Sequence, residues 1–180
     1  MSETSGKVDL RPLGLDDMVR VLVWRNLPEV ATYMYTDHRI TDAEHARWFA
    51  GAMNDVTKRY WIVELDGEPV GLANLYDVST LQKRAYWAFY LADDRVRGKG
   101  VGAATERWVL RHVFLDLELD KLCCEVLATN DGVVKMHQRY GFRIDGVLRR
   151  HVIKAGERVD VVTMSLLRDE WTDRSPTERR

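Results

Sequence analysis

Arg97-Gly98-Lys99-Gly100-Val101-Gly102 lies between a strand-like segment and a long amphipathic one, and its reading decides the fold. Three glycines at alternate positions let the backbone come close to a phosphate with no Cβ in the way and take up positive φ. The helix predicted next, Val101 to Leu115, would aim its unpaired N–H groups and the positive end of its dipole at the same point. The run reads as an anion cradle, and the chain as one that binds a phosphorylated cofactor.

Two phosphate loops fit badly. A P-loop needs Gly-Lys followed by Ser or Thr, and Lys99 is followed by Gly100. A dinucleotide-binding turn needs G-x-G-x-x-G near the start of the chain; here the third glycine, Gly102, comes one residue early and past the middle. A third pattern, Arg/Gln-x-x-Gly-x-Gly/Ala, fits as Arg97-x-x-Gly100-x-Gly102. In this the loop resembles the pyrophosphate loop of the GNAT acyltransferases.

Working outward, the pattern predicts a strand over Val8 to Pro12, then helices over Leu15 to Asn26 and Thr41 to Asn54. The second opens with a capping box of Thr41 and Glu44. Tyr60 to Leu65 and Val70 to Tyr76 form a hairpin about Asp66-Gly67. Lys83 to Ala92 is a fourth strand entering the glycine loop, Lys121 to Ala128 a fifth, and Asp131 to Tyr140 a helix. Phe142 to Lys154 and Arg158 to Leu167 close the domain as a hairpin about Ala155-Gly156. This order is also similar to the GNAT order. The resemblance implies an α+β GNAT fold: a mixed central sheet of about seven strands flanked by about four helices, over residues 8–171. Residues 1–7 and the charged, apolar-poor stretch from Thr172 to Arg180 read as flexible ends.

Composition fits one soluble domain. The chain has 180 residues, 46% hydrophobic and 31% charged, with net charge −1. That balance argues against a nucleic-acid binder relying on bulk basic charge. No apolar run reaches the ~18 residues of a membrane helix, and Met1 to Lys7 lacks a signal peptide's apolar core. The expectation is a cytoplasmic protein with no membrane partner. Cys123 and Cys124 are adjacent, suiting neither a scaffold disulfide nor a zinc site, and the five histidines show no ligand spacing. No metal is expected.

Strand parity locates the chemistry. Trp87, Phe89 and Leu91 share one face of the fourth strand and read as core; Tyr86, Ala88 and Tyr90 share the other, read as the acceptor side of a cleft. On the fifth strand Glu125 is the one carboxylate in Leu122-Cys123-Cys124-Glu125-Val126-Leu127. Partial desolvation would raise its pKa and make it a usable base for an acceptor amine. The alternative is a glutamate that only satisfies a nearby donor.

Asn130-x-x-Val133-x-x-Met136-His137-x-x-x-Gly141-Phe142 resembles the GNAT segment in which a Tyr four positions before Gly-Phe protonates the leaving thiolate. Here His137 holds that position. An imidazole can still serve as the acid; Tyr140 or solvent are the rivals.

The resemblance implies acetyl-CoA as cosubstrate, held by Arg97, Gly98, Lys99, Gly100, Val101, Gly102 and Asn130. Its pantetheine arm would pair near Leu91, Ala92 and Leu127, where the fourth and fifth strands splay.

The first third is dense in aromatic and hydrogen-bonding side chains: Trp24-Arg25-Asn26, Tyr33-Met34-Tyr35-Thr36-Asp37-His38, Glu44-His45 and Trp48. Such density suits a nucleobase site. With K-L-C-C-E-V-L and G-V-L-R-x-H it resembles the PseH-like subfamily, which N-acetylates UDP-4-amino-4,6-dideoxy-N-acetyl-β-L-altrosamine in pseudaminic acid biosynthesis. That resemblance implies a nucleotide-sugar site of Arg25, Tyr35, His45, Trp48, Tyr86 and Tyr90. The rivals are a RimL-like protein N-terminal acetyltransferase and a non-catalytic acyl-CoA binding module. A homodimer through the last strands is compatible with the family pattern.

Overall fold

The computed structural model describes residues 6–173. The expected flexible ends lie outside it, except for their inner residues. Of these, Lys7 pairs its backbone with Asp66, and Asp173 forms an ion pair with Arg111.

Seven strands form one sheet in the order β1-β2-β3-β4-β5-β7-β6. They are β1 (Val8–Pro12), β2 (Arg59–Leu65), β3 (Glu68–Ser79), β4 (Arg84–Leu91), β5 (Lys121–Leu127), β6 (Arg143–Lys154) and β7 (Glu157–Leu167). Every neighbouring pair is antiparallel except β4 and β5. The β2–β3 and β6–β7 hairpin turns each place two successive residues at positive φ, Asp66-Gly67 and Ala155-Gly156, the backbone whose twist matches that of the flanking strands.

The helices are α1 (Met18–Arg25), α2 (Pro28–Ala31), α3 (Asp42–Asn54), α4 (Val101–Arg111) and α5 (Asp131–Tyr140). Among the described residues they number five, close to the expected four or so; the extra one, α2, is a single turn started by Pro28 and carries too little periodicity to be read from sequence. The helix predicted over Leu15 to Asn26 begins as a 3-10 turn, Leu15–Asp17. The one predicted to run to Leu115 turns into a π-helical stretch at His112–Asp116. The Thr41–Glu44 capping box forms as expected.

The sheet separates two cores. On one face α4, the π-helical stretch after it and α5 bury Val101, Val109, Leu110, Val113, Phe114, Val134 and Tyr140 against Trp87, Cys124 and Val126. On the other, α1 to α3 bury Val21, Val30 and Phe49 against Ile62, Leu72 and Tyr90. Strand parity thus comes out as read: Trp87 and Cys124 face α4 and α5, while Tyr90 faces the first three helices. Both cysteines are buried and free, and burial pushes the Cys124 thiol well up.

Candidate active site

The parallel pairing of β4 with β5 covers three residue pairs: Arg84 with Lys121, Ala85 with Leu122, and Tyr86 with Cys123. Beyond Tyr86, β4 stays paired to β3 as far as Leu91, and beyond Cys123, β5 stays paired to β7. The strands therefore part into a V with unpaired backbone on both inner edges. A peptide-like arm laid in the V would find the donors and acceptors that a missing strand leaves behind. The open end carries Leu91, Ala92 and Leu127. One detail is corrected: the Ala92 N–H already donates to Val70 O (2.8 Å), so only its carbonyl remains for a ligand.

The glycine loop stands at the same open end. Gly98 and Gly100 both adopt left-handed backbone, at φ 74° and 75°, and Gly100 caps α4. The turn points the first N–H groups of α4 out of the loop with no intrahelical acceptor. Gly102 has ordinary φ, and a Cβ there would lie 3.5 Å from Phe89 and 3.6 Å from Met136, normal contacts. Its lack of a side chain is not demanded by the protein's own packing, which agrees with a backbone kept bare for a ligand. Arg97 is exposed and pairs with Asp94 at 2.8 Å, an exchangeable surface contact. Asn130 stands at the N-cap of α5 without spending its side chain on the helix. The residues present fit a pyrophosphate and its arm.

On the α1–α3 face, Ala88 is exposed in the middle of a seven-stranded sheet, which marks the floor of a cleft. Glu125 projects to this face, since its neighbours Cys124 and Val126 belong to the opposite core. The Tyr35 hydroxyl donates to Glu125 Oε2 at 2.7 Å. Tyr76 and Tyr86, cross-strand partners on β3 and β4, pack with ring centroids 5.4 Å apart. Burial, with the Glu125 carboxylate close by, pushes the Tyr35 and Tyr76 phenols well above their ordinary range. They stay protonated and neutral. Tyr76 escaped the sequence reading, because its pairing with Tyr86 depends on the β3–β4 register, which shifts between Tyr76 and Ser79.

Five of the six expected nucleotide-sugar residues divide into two groups, and the sixth, Tyr90, is packed in the core beneath α1 to α3. Tyr35 and Tyr86 belong with Glu125. Arg25, His45 and Trp48 line a cavity of about 220 Å³ with Thr36, His38, Ile40 and Glu44. His45 is buried there and its Nε2 donates to Met18 O at 2.7 Å, so it ties α3 to α1 and stacks on Trp48 at 5.2 Å. Its ring shapes the cavity more than it offers hydrogen bonds. Arg25 is different. Its Nη1 is buried without a partner, no carboxylate pairs with it among the described residues, and burial pushes its pKa down. The Tyr90 hydroxyl, also buried and unpartnered, is close enough for the two groups to influence each other's charge.

His137 lies on the packed face of the sheet rather than open to the cleft. It is 3% exposed and packs on Trp87 and Phe142, each 5.2 Å away between ring centroids. Its Nδ1 lies 2.8 Å from Oε1 of Glu106, which is itself 0% exposed. Glu106 has a second oxygen without a partner, and burial pushes its carboxyl up. A charged residue on the apolar stripe of α4 was the available signal for this pair. Trp87 is the first residue past the last β4–β5 pair, so His137 sits at the apex of the V, on the face opposite Glu125. Tyr140, the rival acid, donates its hydroxyl to Ala103 O at 2.8 Å and is packed in the core.

The model of the acetyltransferase (GNAT) domain matches residues 7–143. The chain belongs to the GNAT acetyltransferase family. It is an acetyl-CoA-dependent N-acetyltransferase. Among curated GNAT relatives, spermidine N(1)-acetyltransferase of Escherichia coli K12 is 24% identical over 91% of this chain and 88% of that protein. Acetyltransferase PseH of Campylobacter jejuni is 27% identical over 73% of this chain and 80% of that protein. Among solved structures, spermidine N-acetyltransferase of Vibrio cholerae in complex with CoA and spermine superposes with a TM-score of 0.84. It is 21% identical and covers 91% of this chain and 96% of that one, a likeness of fold. Among the described residues no His, Cys, Asp or Glu cluster could hold a metal ion, and no helix is long and apolar enough to cross a membrane.

Proposed function

We propose that the acceptor is a nucleotide sugar of the UDP-4-amino-4,6-dideoxy-N-acetyl-β-L-altrosamine type, acetylated on its 4-amino group by direct transfer in a ternary complex. The observation that carries this reading is Arg25. A half-buried guanidinium whose Nη1 is buried with no partner and no counter-charge is costly to keep. One facing a cavity lined by the Trp48 ring is suited to an acceptor that brings both an anion and a flat base. A polycationic acceptor would add to that cost.

Acetyl-CoA supplies the acetyl group as an activated thioester. Glu125, oriented by the Tyr35 hydroxyl, takes a proton from the acceptor ammonium, directly or through a water. A backbone N–H on the unpaired edge of β4 donates to the developing oxyanion. His137, at the apex of the V and on the other face, returns a proton to sulfur. Base and acid then stand on opposite sides of the sheet with the thioester between them. Neither cysteine suits an acyl-enzyme, since both are buried mid-strand. Ile144, Val147, Leu148 and Ile153 are exposed along edge strand β6, which supports pairing with a second copy.

A second reading, a polyamine acceptor, draws on the spermidine acetyltransferase relatives and on Glu125 among three phenols, a setting that suits an ammonium. Thiol release from acetyl-CoA separates the two, with UDP-4-amino sugars, spermidine and peptides with free N-termini as acceptors. Turnover confined to the nucleotide sugar, and lost in Arg25→Met, is the expected result. Turnover of spermidine undiminished by Arg25→Met would overturn the nucleotide assignment. Turnover with peptides alone would point to the N-terminal acetyltransferase reading. No turnover with any amine would favour the binding module.

A further inference from the structure

Residues 32–41 connect α2 to α3 and carry Tyr35 to Glu125. A ten-residue connection at a cleft mouth is ordinarily mobile. This one is tied at both ends. Near α3, the Asn26 side chain both donates to Ile40 O (3.0 Å) and accepts from Ile40 N (2.8 Å). Nearer α2 the tie comes from the opposite end of the sequence, from the tip of the β6–β7 hairpin. The Lys154 ammonium donates to Ala31 O at 3.0 Å and Thr36 O at 3.1 Å, and lies 3.1 Å from Asp37 Oδ1. The other Asp37 oxygen accepts from Ala155 N at 2.8 Å.

An ammonium has three donors, and here each has an acceptor on one short segment. Lys154 is mostly buried at 15% exposure, so these contacts are not the loose kind that lysines make on surfaces. Two of the acceptors are carbonyls that flank Tyr35 in sequence, and holding them fixes the backbone that aims its side chain. The same strand also places His151 edge-on to the Tyr35 ring, with centroids 6.4 Å apart.

We infer that Lys154 is a positioning residue for the acceptor: it holds the segment carrying Tyr35, and through Tyr35 it sets the orientation of Glu125. The inference rests on reading the Tyr35–Glu125 cleft as the acceptor site, but not on which amine enters it. It makes the β6–β7 hairpin part of the recognition apparatus, although its tip lies far from the glycine loop in sequence. A lysine that merely stapled the fold would weaken both substrates alike.

The test is a kinetic cycle of Lys154→Met, Tyr35→Phe and the double variant. Spermidine and a UDP-4-amino sugar are offered separately, alongside hydrogen exchange on the protein without substrates. Lys154→Met is expected to raise the acceptor KM by about tenfold and leave the acetyl-CoA KM unchanged. In the Tyr35→Phe background most of that effect should disappear, because residues acting through one another are not additive. Amides of residues 32–37 should exchange faster while those of α4 do not.

An unchanged acceptor KM, independent effects of the two substitutions, or unaltered exchange at 32–37 would each overturn the inference. If spermidine is the acceptor that shows the split, the nucleotide reading fails and the role of Lys154 stands. If wild-type protein turns over neither amine, the exchange result alone decides. Should Lys154→Met not fold, Asp37→Ala removes the charged half of the same tie from an exposed position.

Discussion

Tyr35 and Glu125, ninety residues apart in sequence, are joined by a hydroxyl-to-carboxylate hydrogen bond of 2.7 Å across the cleft mouth. The bond holds the carboxylate with one oxygen occupied and the other free. Replacing Glu125 by Gln keeps an acceptor for the Tyr35 hydroxyl but removes the base. kcat should fall by about 10²- to 10⁴-fold with the acetyl-CoA KM unchanged, measured by thiol release. Tyr35→Phe removes the orienting bond alone and should cost less than Glu125→Gln. A Glu125→Gln enzyme with normal kcat would end the general-base assignment.

Gly100 caps α4 with φ 75°. Gly100→Ala forces a side chain into left-handed backbone at a cost of about 1–2 kcal/mol. The loop can relieve that strain by shifting the N–H groups at the start of α4. Expected are a lower melting temperature and a raised acetyl-CoA KM, with acceptor KM little altered. Calorimetry and steady-state kinetics check both. An equal rise in both KM values would mean that the loop does not serve the cosubstrate specifically.

Glu106 is buried on α4 with one oxygen near His137 and the other unpartnered. Burial raises its folded pKa above the unfolded value, so its stabilising contribution is fully present below the unfolded pKa, about 4.3. It is lost as pH rises towards the folded value, because the unfolded chain ionises first. Glu106→Gln has no such loss. The variant should gain about 1 kcal/mol relative to wild type at pH 8 and gain little at pH 4, by urea unfolding. A relative stability independent of pH would show that Glu106 is ionised in the fold.

Asp17 runs the other way. Its carboxylate is held by the Arg11 guanidinium through two bonds of 2.7 and 2.8 Å, by Arg20 at 2.7 Å and by the Gly14 N–H at 3.0 Å. The Arg11 bonds lead in lowering its pKa. Stability from a lowered carboxylate is present above the unfolded pKa and lost as pH falls through the folded one. Asp17→Asn should cost about 1–2 kcal/mol at pH 7, the two arginines being partly solvated. The cost should shrink below about pH 4. A cost that persists at low pH would place it in packing rather than charge.

Most of the fold was legible because its signals are local. The Asp66-Gly67 and Ala155-Gly156 turns, the Thr41–Glu44 box and the glycine loop each fix backbone within a few residues. Strand alternation then assigned Trp87 and Tyr90 to opposite faces without reference to the rest of the chain. The one-turn helix α2 and the π-helical end after α4 were not legible, since neither has a periodicity of its own.

The site divides along the same line. Sequence by itself determined where the glycine loop meets a helix N-terminus and which strand carries the carboxylate, since a helix start and strand parity are properties of neighbouring residues. Only the tertiary structure decided which partners those groups meet. It joined Glu125 to Tyr35, buried His137 against Glu106, left Arg25 facing a cavity without a counter-charge, and brought Lys154 to the loop it holds. Those contacts span 31 to 123 residues where they are hydrogen bonds. Over such separations the sequence records no preference; the register of the sheet and the packing of two cores set the distances.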